Sequence, residues 1–231
     1  VASTPYIVTK GIVLRETETK EADKILTLLT QDRGRIPVIA RGVRRKGCKY
    51  AACAQPLVYS EWTLYQKGDW YYANEGTTIE LFNGLRKDLD AMALGFYLAE
   101  LTEAVTTEES DAAELLRHLL NGLYALSTLH KPPALVKAAF ELRLLSLAGF
   151  EPMLDGCDHC GEEPREPVLD VVNGVLRCRG CSGTQHSLHM PLCGASLAAL
   201  RYIVGCDPRK LYSFSLGQEA LERLSHAGEA F

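Results

Sequence analysis

The stretch that decides the fold of this chain is CDHCGEEPREPVLDVVNGVLRCRGC, residues 157–181. It contains two Cys-x-x-Cys pairs, Cys157 with Cys160 and Cys178 with Cys181, separated by seventeen residues. Each pair places two sulfur atoms about one tetrahedral edge apart on a tight turn, and this spacing is typical of a four-thiolate zinc site. The residues between the pairs, 168–176, have the pattern of a short hairpin. The sequence therefore predicts one structural zinc ion in a zinc ribbon covering residues 153–185.

Other interpretations of the four cysteines stay open. A redox-active pair normally occurs once, before a helix, whereas two pairs flank a hairpin here. Disulfides need an oxidising compartment, and the N-terminal residues lack a secretory signal pattern. A degenerate or empty site is a further alternative. A catalytic zinc ion is disfavoured because four thiolates leave no coordination position for water.

Composition indicates an ordinary soluble globular protein. Of the 231 residues, 47% are hydrophobic and 23% are charged, which suits two or three small domains. The net charge of -4 hides an asymmetry, since residues 1–80 hold 12 basic against 9 acidic side chains and the remainder holds 13 against 20. With no apolar run of membrane-spanning length and no signal pattern, we expect a cytoplasmic protein with a basic N-terminal part.

The first eighty residues carry strand and turn signals. Five apolar runs separated by turn residues predict a small closed β-barrel of the OB type over residues 1–80. Gly11 is the expected bulge of the first strand, and Asp32-Arg33-Gly34 the turn between the second and third. Pro37 favours an edge position or a bulge in the third strand.

From about residue 85 the apolar spacing becomes helical. The pattern predicts a helix over roughly 88–106, a second with a stripe from Leu115 to Leu126, and a third over 134–148 with Gly149 as its C-terminal cap. Further helical pattern follows at 195–204 and after residue 218. We therefore predict an α+β multidomain protein, in which an α-helical bundle domain of residues 81–152 and 186–231 is interrupted by the inserted zinc module.

The stretch from residue 33 to residue 49 is strongly basic. It contains seven cations and no Asp or Glu, and Gly42 and Gly47 give its loop the freedom to follow a phosphate backbone. A solvated loop that only aids solubility is the alternative. The predicted nucleic-acid-binding residues are Arg33, Arg35, Arg41, Arg44, Arg45, Lys46 and Lys49.

Aromatic residues accompany this run and suggest stacking against unpaired bases. They are Tyr50, Tyr59, Trp62, Tyr65, Trp70, Tyr71 and Tyr72. Strand alternation must bury some of them in the barrel, because Trp70 and Tyr72 share one face of their strand and Tyr71 lies on the other. For any single ring, a place in the core is favoured over stacking.

No catalytic pattern is found in the sequence. Phosphate-binding loops, zinc-protease motifs, nucleophile elbows and dinucleotide fingerprints are all absent. Cys48 lies between Gly47 and Lys49, whose charge can activate a thiol, but an exposed unreactive thiol is the favoured interpretation. We therefore predict a binding protein rather than an enzyme, with no catalytic residue.

One segment has a specific resemblance. Phe140-Glu-Leu-Arg-Leu-Leu-Ser-Leu-Ala-Gly149-Phe-Glu-Pro152, followed by Cys157-x-x-Cys160-Gly161, resembles the signature of the bacterial RecO family of recombination mediators. Residues 40–45, Ala-Arg-Gly-Val-Arg-Arg, are similar to that family's basic loop, and residues 94–101 to its first long helix. The order of barrel, helical domain, zinc module and helical tail is also the same.

This resemblance implies a function in DNA repair. RecO proteins bind single- and double-stranded DNA, anneal complementary strands and displace single-strand-binding protein. With RecR they help to load RecA at gaps. The implied partners are therefore DNA, RecR, single-strand-binding protein and, indirectly, RecA. The implied location is the cytoplasm, at the nucleoid, with no membrane association. The seven basic residues of the stretch 33–49 are the implied DNA-binding set, and Cys157, Cys160, Cys178 and Cys181 are the implied zinc ligands.

Two rival functions come from other classes. A zinc-ribbon and OB adaptor of the translation machinery would bind structured RNA or protein, and competition between single-stranded DNA and RNA distinguishes it. An enzyme that uses Cys48 would lose turnover on alkylation of that thiol.

Overall fold

The computed structural model describes residues 6–19, 21–107, 112–182 and 188–231. The chain divides into two compact units, Val1–Thr128 and Leu129–Phe231. Among the described residues, the first unit contains a β-barrel and two α-helices, and the second contains three α-helices and a small sheet. The predicted α+β architecture is confirmed. The domain boundaries proposed at residues 80 and 152 stay predictions, and the one at 185 lies outside the described residues.

The N-terminal unit is built on a closed five-stranded barrel with the strand order β1-β2-β3-β5-β4. Its strands are β1 (Tyr6–Thr19), β2 (Asp23–Thr30), β3 (Gly34–Ala40), β4 (Tyr59–Lys67) and β5 (Trp70–Glu80). Alternation directs one face of each strand inward, as in β3, where Ile36, Val38 and Ala40 are buried. Pro37 pairs only with β2, because β5 reaches no further than residues 38 and 39. Five strands closed in this order confirm the OB-type barrel.

The irregularity in β1 lies at Leu14. Pairing with β2 passes from Val13 to Arg15, which leaves Leu14 as the extra residue, so the bulge predicted at Gly11 is wrong. Gly11 is regularly paired, and its missing side chain allows the backbone of β1 to lie close to that of β2. A Cβ atom at that position would lie 2.8 Å from the carbonyl oxygen of Leu29.

Two helices complete the first unit. They are α1 (Leu89–Val105) and α2 (Ala113–Ser127), which pack against each other, and α1 also contacts β1. The carboxylate of Asp88 caps α1 by accepting hydrogen bonds from the backbone N–H groups of Asp90 and Ala91, at 2.9 and 3.1 Å. The predicted helix over 88–106 is confirmed.

The second unit combines three helices with a three-stranded sheet. The helices are α3 (Pro133–Leu147), α4 (Gly194–Gly205) and α5 (Gln218–Ala230), and the sheet, of order β7-β6-β8, contains β6 (Pro167–Asp170), β7 (Val175–Cys178) and β8 (His189–Pro191). α3 packs against both α4 and α5. Gly149 has a φ of +92° after the end of α3, which confirms it as the C-terminal cap. The three helices form the framework that carries the cysteine hairpin.

An ion cluster joins α3 to α5. The Lys137 ammonium lies 3.0 Å from the carboxylate of Glu141, which is only 6% exposed, and 2.6 Å from that of Glu229. Partial burial lowers the pKa of Lys137, but the hydrogen bonds to Glu229 and Glu141 outweigh it, so the pKa is raised overall. The hydrogen bond from Lys137 lowers the pKa of Glu229. Both shifts favour the charged cluster in the folded protein.

Replacing Lys137 with Met is expected to destabilise the protein by about 2 kcal/mol, because it removes the cation beside a buried carboxylate. Urea unfolding at pH 7 measures the loss. Since the pKa of Glu229 is depressed, its contribution is present above pH 4.5 and is lost as the pH falls. Lys210→Met, at an exposed lysine of the same unit, is the control. Equal stability of the two variants would contradict the prediction.

Candidate metal centre and nucleic-acid interface

Four thiols of the second unit lie close enough to share one metal ion. The Sγ atoms of Cys157, Cys160, Cys178 and Cys181 are all within 4.8 Å of one another, and those of Cys160 and Cys178 are 3.9 Å apart. Sulfur ligands about 2.3 Å from a tetrahedral zinc ion are about 3.8 Å from each other. All eight cysteines of the chain are free thiols. The cluster thus has the ligand number and the spacing of a closed tetrahedral site.

The β6–β7 hairpin brings the two cysteine pairs together. Antiparallel pairing of these strands confirms the predicted hairpin, and Cys178 is the last residue of β7. The first pair is attached to the same strand, because the N–H of Asp158 donates to the carbonyl oxygen of Leu176 at 2.8 Å. Gly161, with a φ of +77°, completes the first turn and donates its N–H to the carbonyl oxygen of Cys157 at 2.8 Å.

The environment of the cluster shifts the pKa values of its thiols in opposite directions. Burial raises the pKa of Cys157, but backbone N–H groups of Cys160, Cys178 and His159 outweigh it and lower the pKa to about 6. Burial and the neighbouring thiols Cys157 and Cys160 raise the pKa of Cys181 to about 12. The four sulfurs repel one another when ionised, so a divalent cation at their centre would stabilise the set.

Two arginines that sequence reasoning missed brace this hairpin. Arg177 reaches Asp158 at 3.2 Å and the fully buried Asp170 at 3.4 Å. Arg201, on α4, donates to the carbonyl oxygen of Leu154 and makes a two-pronged pair with Glu163 at 2.8 and 2.9 Å. Neither lies in a recognisable motif. Their acidic partners come close only when the chain folds. The one sequence feature that pointed to a function was the position of Arg177 next to Cys178.

The structure separates the seven predicted DNA-binding cations into two groups. Five of them, all exposed, follow the end of β3, and we call them the basic loop: Arg41, Arg44, Arg45, Lys46 and Lys49. Arg33 and Arg35 are half-buried at the opposite end of β3. One continuous patch of seven cations is therefore not formed along this strand.

Three of these cations lie near acidic side chains, two of which, Glu18 and Glu103, are distant from them in sequence. Glu18, on β1, lies 3.0 Å from Arg44, and Arg33 and Arg35 lie 3.7 and 3.8 Å from carboxylates of Asp32 and Glu103 respectively. These pairs are partly exposed and weak. In the part of the chain that the structure describes, Arg45, Lys46 and Lys49 have no carboxylate at ion-pairing distance. They are the cations most available to a phosphate.

Buried residues within and just after the basic loop anchor it to the barrel. Val43, Tyr50, Cys53 and Ala54 are buried in the barrel core, where the ring of Tyr50 meets the edge of Trp62 at 6.4 Å. Cys48 is half-buried against this core and is not the exposed thiol that the sequence suggested. Exposed cations therefore alternate with anchoring residues.

Strand alternation sorts the predicted aromatic residues as expected. Trp62 and Tyr71 are core residues, whereas Trp70, on the other face of β5, is 42% exposed. Tyr59, Tyr65 and Tyr72 are half-buried. Sequence reasoning missed Tyr6, which only the pairing of β1 with β4 places opposite Tyr65. That register is a tertiary property and has no local signal.

No helix among the described residues is both long enough and apolar enough to cross a membrane.

An OB-type barrel with an exposed basic loop, followed by helices and a four-cysteine hairpin, defines the class of this protein: a two-unit α+β protein with a candidate nucleic-acid interface and a candidate metal centre. Residues 5–82 match the family model described as recombination protein O N terminal, and residues 86–231 match recombination protein O C terminal. The chain belongs to the recombination protein O family.

Individual relatives agree with this assignment. The chain is 30% identical to the DNA repair protein RecO of Acetivibrio thermocellus over 98% of its own length and 90% of the relative's. It is 35% identical to the DNA repair protein RecO of Caldicellulosiruptor bescii, over 91% and 85% of the two chains. The relative of the same name from Heliobacterium modesticaldum is 32% identical over 94% and 80%.

Proposed function

We propose that this protein is a DNA repair mediator that acts by binding and annealing DNA rather than by catalysis. It binds single- and double-stranded DNA, pairs complementary strands and, with RecR, promotes RecA loading at gaps coated by single-strand-binding protein. The observation that carries the proposal is the group of exposed cations on the barrel of a chain in the RecO family. The proposed DNA contacts are the basic loop, with Arg33 and Arg35 as secondary contacts.

The proposed mechanism is electrostatic. Two DNA strands repel each other through their phosphates, and cations bound along one backbone lower this repulsion and release counterions. Phosphate contacts leave the base edges free to pair. Arg45, Lys46 and Lys49 suit this task because they are exposed and no carboxylate of the described residues forms an ion pair with them. Annealing of this kind requires no ATP.

We propose zinc as the resident metal, with a structural function. Four thiolates form a closed set that suits zinc and leaves no position for a reacting water molecule. When bound, the ion supplies positive charge at the centre of the four sulfurs. Cys157, Cys160, Cys178 and Cys181 would hold it. Arg177 stabilises the hairpin through Asp158, and Arg201 connects the segment to α4 through Glu163.

The test of the proposed function is a strand-annealing assay with complementary oligonucleotides, run with and without cognate single-strand-binding protein. We expect the protein to accelerate duplex formation at least about tenfold in both conditions and in the absence of ATP, because charge screening drives the reaction. Duplex formation no faster than in buffer would contradict the proposal. Preferential binding of structured RNA in competition with single-stranded DNA would support an adaptor of the translation machinery instead.

A further inference from the structure

The outer face of the barrel carries a row of four planar groups. Tyr6 meets the ring of Tyr65 edge-on, with centroids 6.4 Å apart and an interplanar angle of 84°. Tyr65 stacks on Tyr72 with centroids 5.2 Å apart and an angle of 13°. The guanidinium carbon of Arg41 lies 4.5 Å from the centroid of Tyr72. The row runs from β1 across β4 and β5 to the first residue of the basic loop.

Strand register sets the order of the three rings. Tyr6 is the cross-strand partner of Tyr65 on β4, and Tyr65 is the partner of Tyr72 on β5. Directly opposed residues on one face of a sheet lie within ring-contact distance. The rings therefore hold fixed positions relative to one another on the barrel surface.

The backbone at Arg41 is fixed as well. The Tyr50 hydroxyl donates to the carbonyl oxygen of Arg41 at 2.7 Å, and burial raises the pKa of Tyr50 to about 12, so this donor keeps its proton at neutral pH. The next amide, of Gly42, donates to the carboxylate of Asp23 at 2.7 Å. Arg41 thus starts the basic loop from an anchored position, and its guanidinium is held over Tyr72.

Among the described residues of the row, the two at its ends are the most exposed. The rings of Tyr65 and Tyr72 are half-buried and cover each other, whereas Tyr6 is 62% exposed and Arg41 is exposed. A tyrosine ring and a guanidinium plane are both surfaces on which unpaired bases stack. The neighbouring cations Arg44 and Arg45 offer charge that is complementary to the backbone joining such bases.

We propose that this row is a base-stacking platform for single-stranded DNA, with unpaired bases stacking on Arg41 at one end and on Tyr6 at the other. Duplex DNA cannot use the platform, because the faces of its bases are already stacked within the helix. The inference rests on the proposed function, since the basic loop must first hold the strand. It adds a preference for exposed bases that phosphate contacts alone do not give.

The experiment compares a single-stranded oligonucleotide with an abasic strand of the same length and charge, by fluorescence anisotropy at several salt concentrations. Stacking contributes about 1–3 kcal/mol per base, so we expect the unchanged protein to bind the base-containing strand at least about fivefold more tightly. Equal affinity for the two strands would overturn the platform and leave the proposed function standing. Failure to bind either strand would overturn both.

Three variants locate the effect in the row. Tyr72→Ala removes the support of the guanidinium, and Arg41→Lys keeps the charge but loses the plane, so each is expected to bring the affinity ratio of the two strands towards one. Tyr72→Phe should keep the ratio of the unchanged protein, because a phenyl ring supports the same stack. Tyr124→Ala, at a tyrosine of α2 that is 46% exposed, is the control for loss of an aromatic side chain.

The ratio compares two strands bound by the same variant, so a general loss of affinity does not change it. Thermal unfolding verifies that each variant is folded. A ratio unchanged by both Tyr72→Ala and Arg41→Lys would overturn the assignment of the platform to this row.

Discussion

Replacing Cys157 with Ser is expected to abolish stoichiometric zinc binding and to lower the free energy of unfolding by about 3 kcal/mol or more. The value of about 3 kcal/mol is a lower bound. The binding free energy of zinc in zinc-finger peptides is about 10–16 kcal/mol, and the loss of one thiolate ligand removes much of this free energy. Cys157 is the most buried of the four thiols and accepts a hydrogen bond from the backbone of Cys178 at 3.3 Å, so its loss disturbs both turns. Metal analysis of the purified protein and thermal unfolding measure the two effects.

The matched control is Cys193→Ser. Cys193 is the N-cap of α4, where Ser is a preferred residue, and it lies outside the four-cysteine cluster. We expect this variant to keep one zinc ion per chain and its stability. A protein purified without zinc, or a Cys157→Ser variant as stable as the control, would show that the cluster does not hold a structural metal.

The triple change of Arg44, Arg45 and Lys46 to Ala is expected to weaken binding to all DNA sequences alike. Each lost phosphate contact lowers the slope of the salt dependence by about 0.9 for duplex and about 0.7 for single strands, so loss of three contacts lowers it by about 2.7 and about 2.1 respectively. Without a contribution from Arg44, whose charge is partly neutralised by Glu18 at 3.0 Å, the expected falls are about 1.8 and about 1.4. Titrations at four or more salt concentrations give the slope directly.

A charge-preserving triple, Arg44→Lys, Arg45→Lys and Lys46→Arg, is the control. If the loop acts through charge, this variant keeps the slope of the unchanged protein, because counterion release depends on charge and not on the donor geometry. An alanine triple with the same slope as the unchanged protein would remove the basic loop from the interface. A loss confined to certain sequences would indicate contacts with base edges instead.

Local patterns predicted most of the fold. Alternating apolar residues predicted the five strands, the three-and-four spacing predicted the helices, and two Cys-x-x-Cys pairs predicted the cysteine cluster. Each of these signals depends on a residue's near neighbours in sequence. The predicted position of the bulge was wrong by three residues, since it lies at Leu14 and not at Gly11. A glycine within a strand can mark either a bulge or a close approach of two strands, and the sequence does not distinguish the two.

The sequence by itself determined the element types, the four-cysteine cluster and the presence of a dense basic run, since all three follow from side-chain chemistry and short spacing. Only the tertiary structure decided which cations stay available and which rings align. Glu18 reaches Arg44, and Tyr6 faces Tyr65, because barrel closure brings together strands that are far apart along the chain. Long-range register sets those contacts, and no local pattern encodes it.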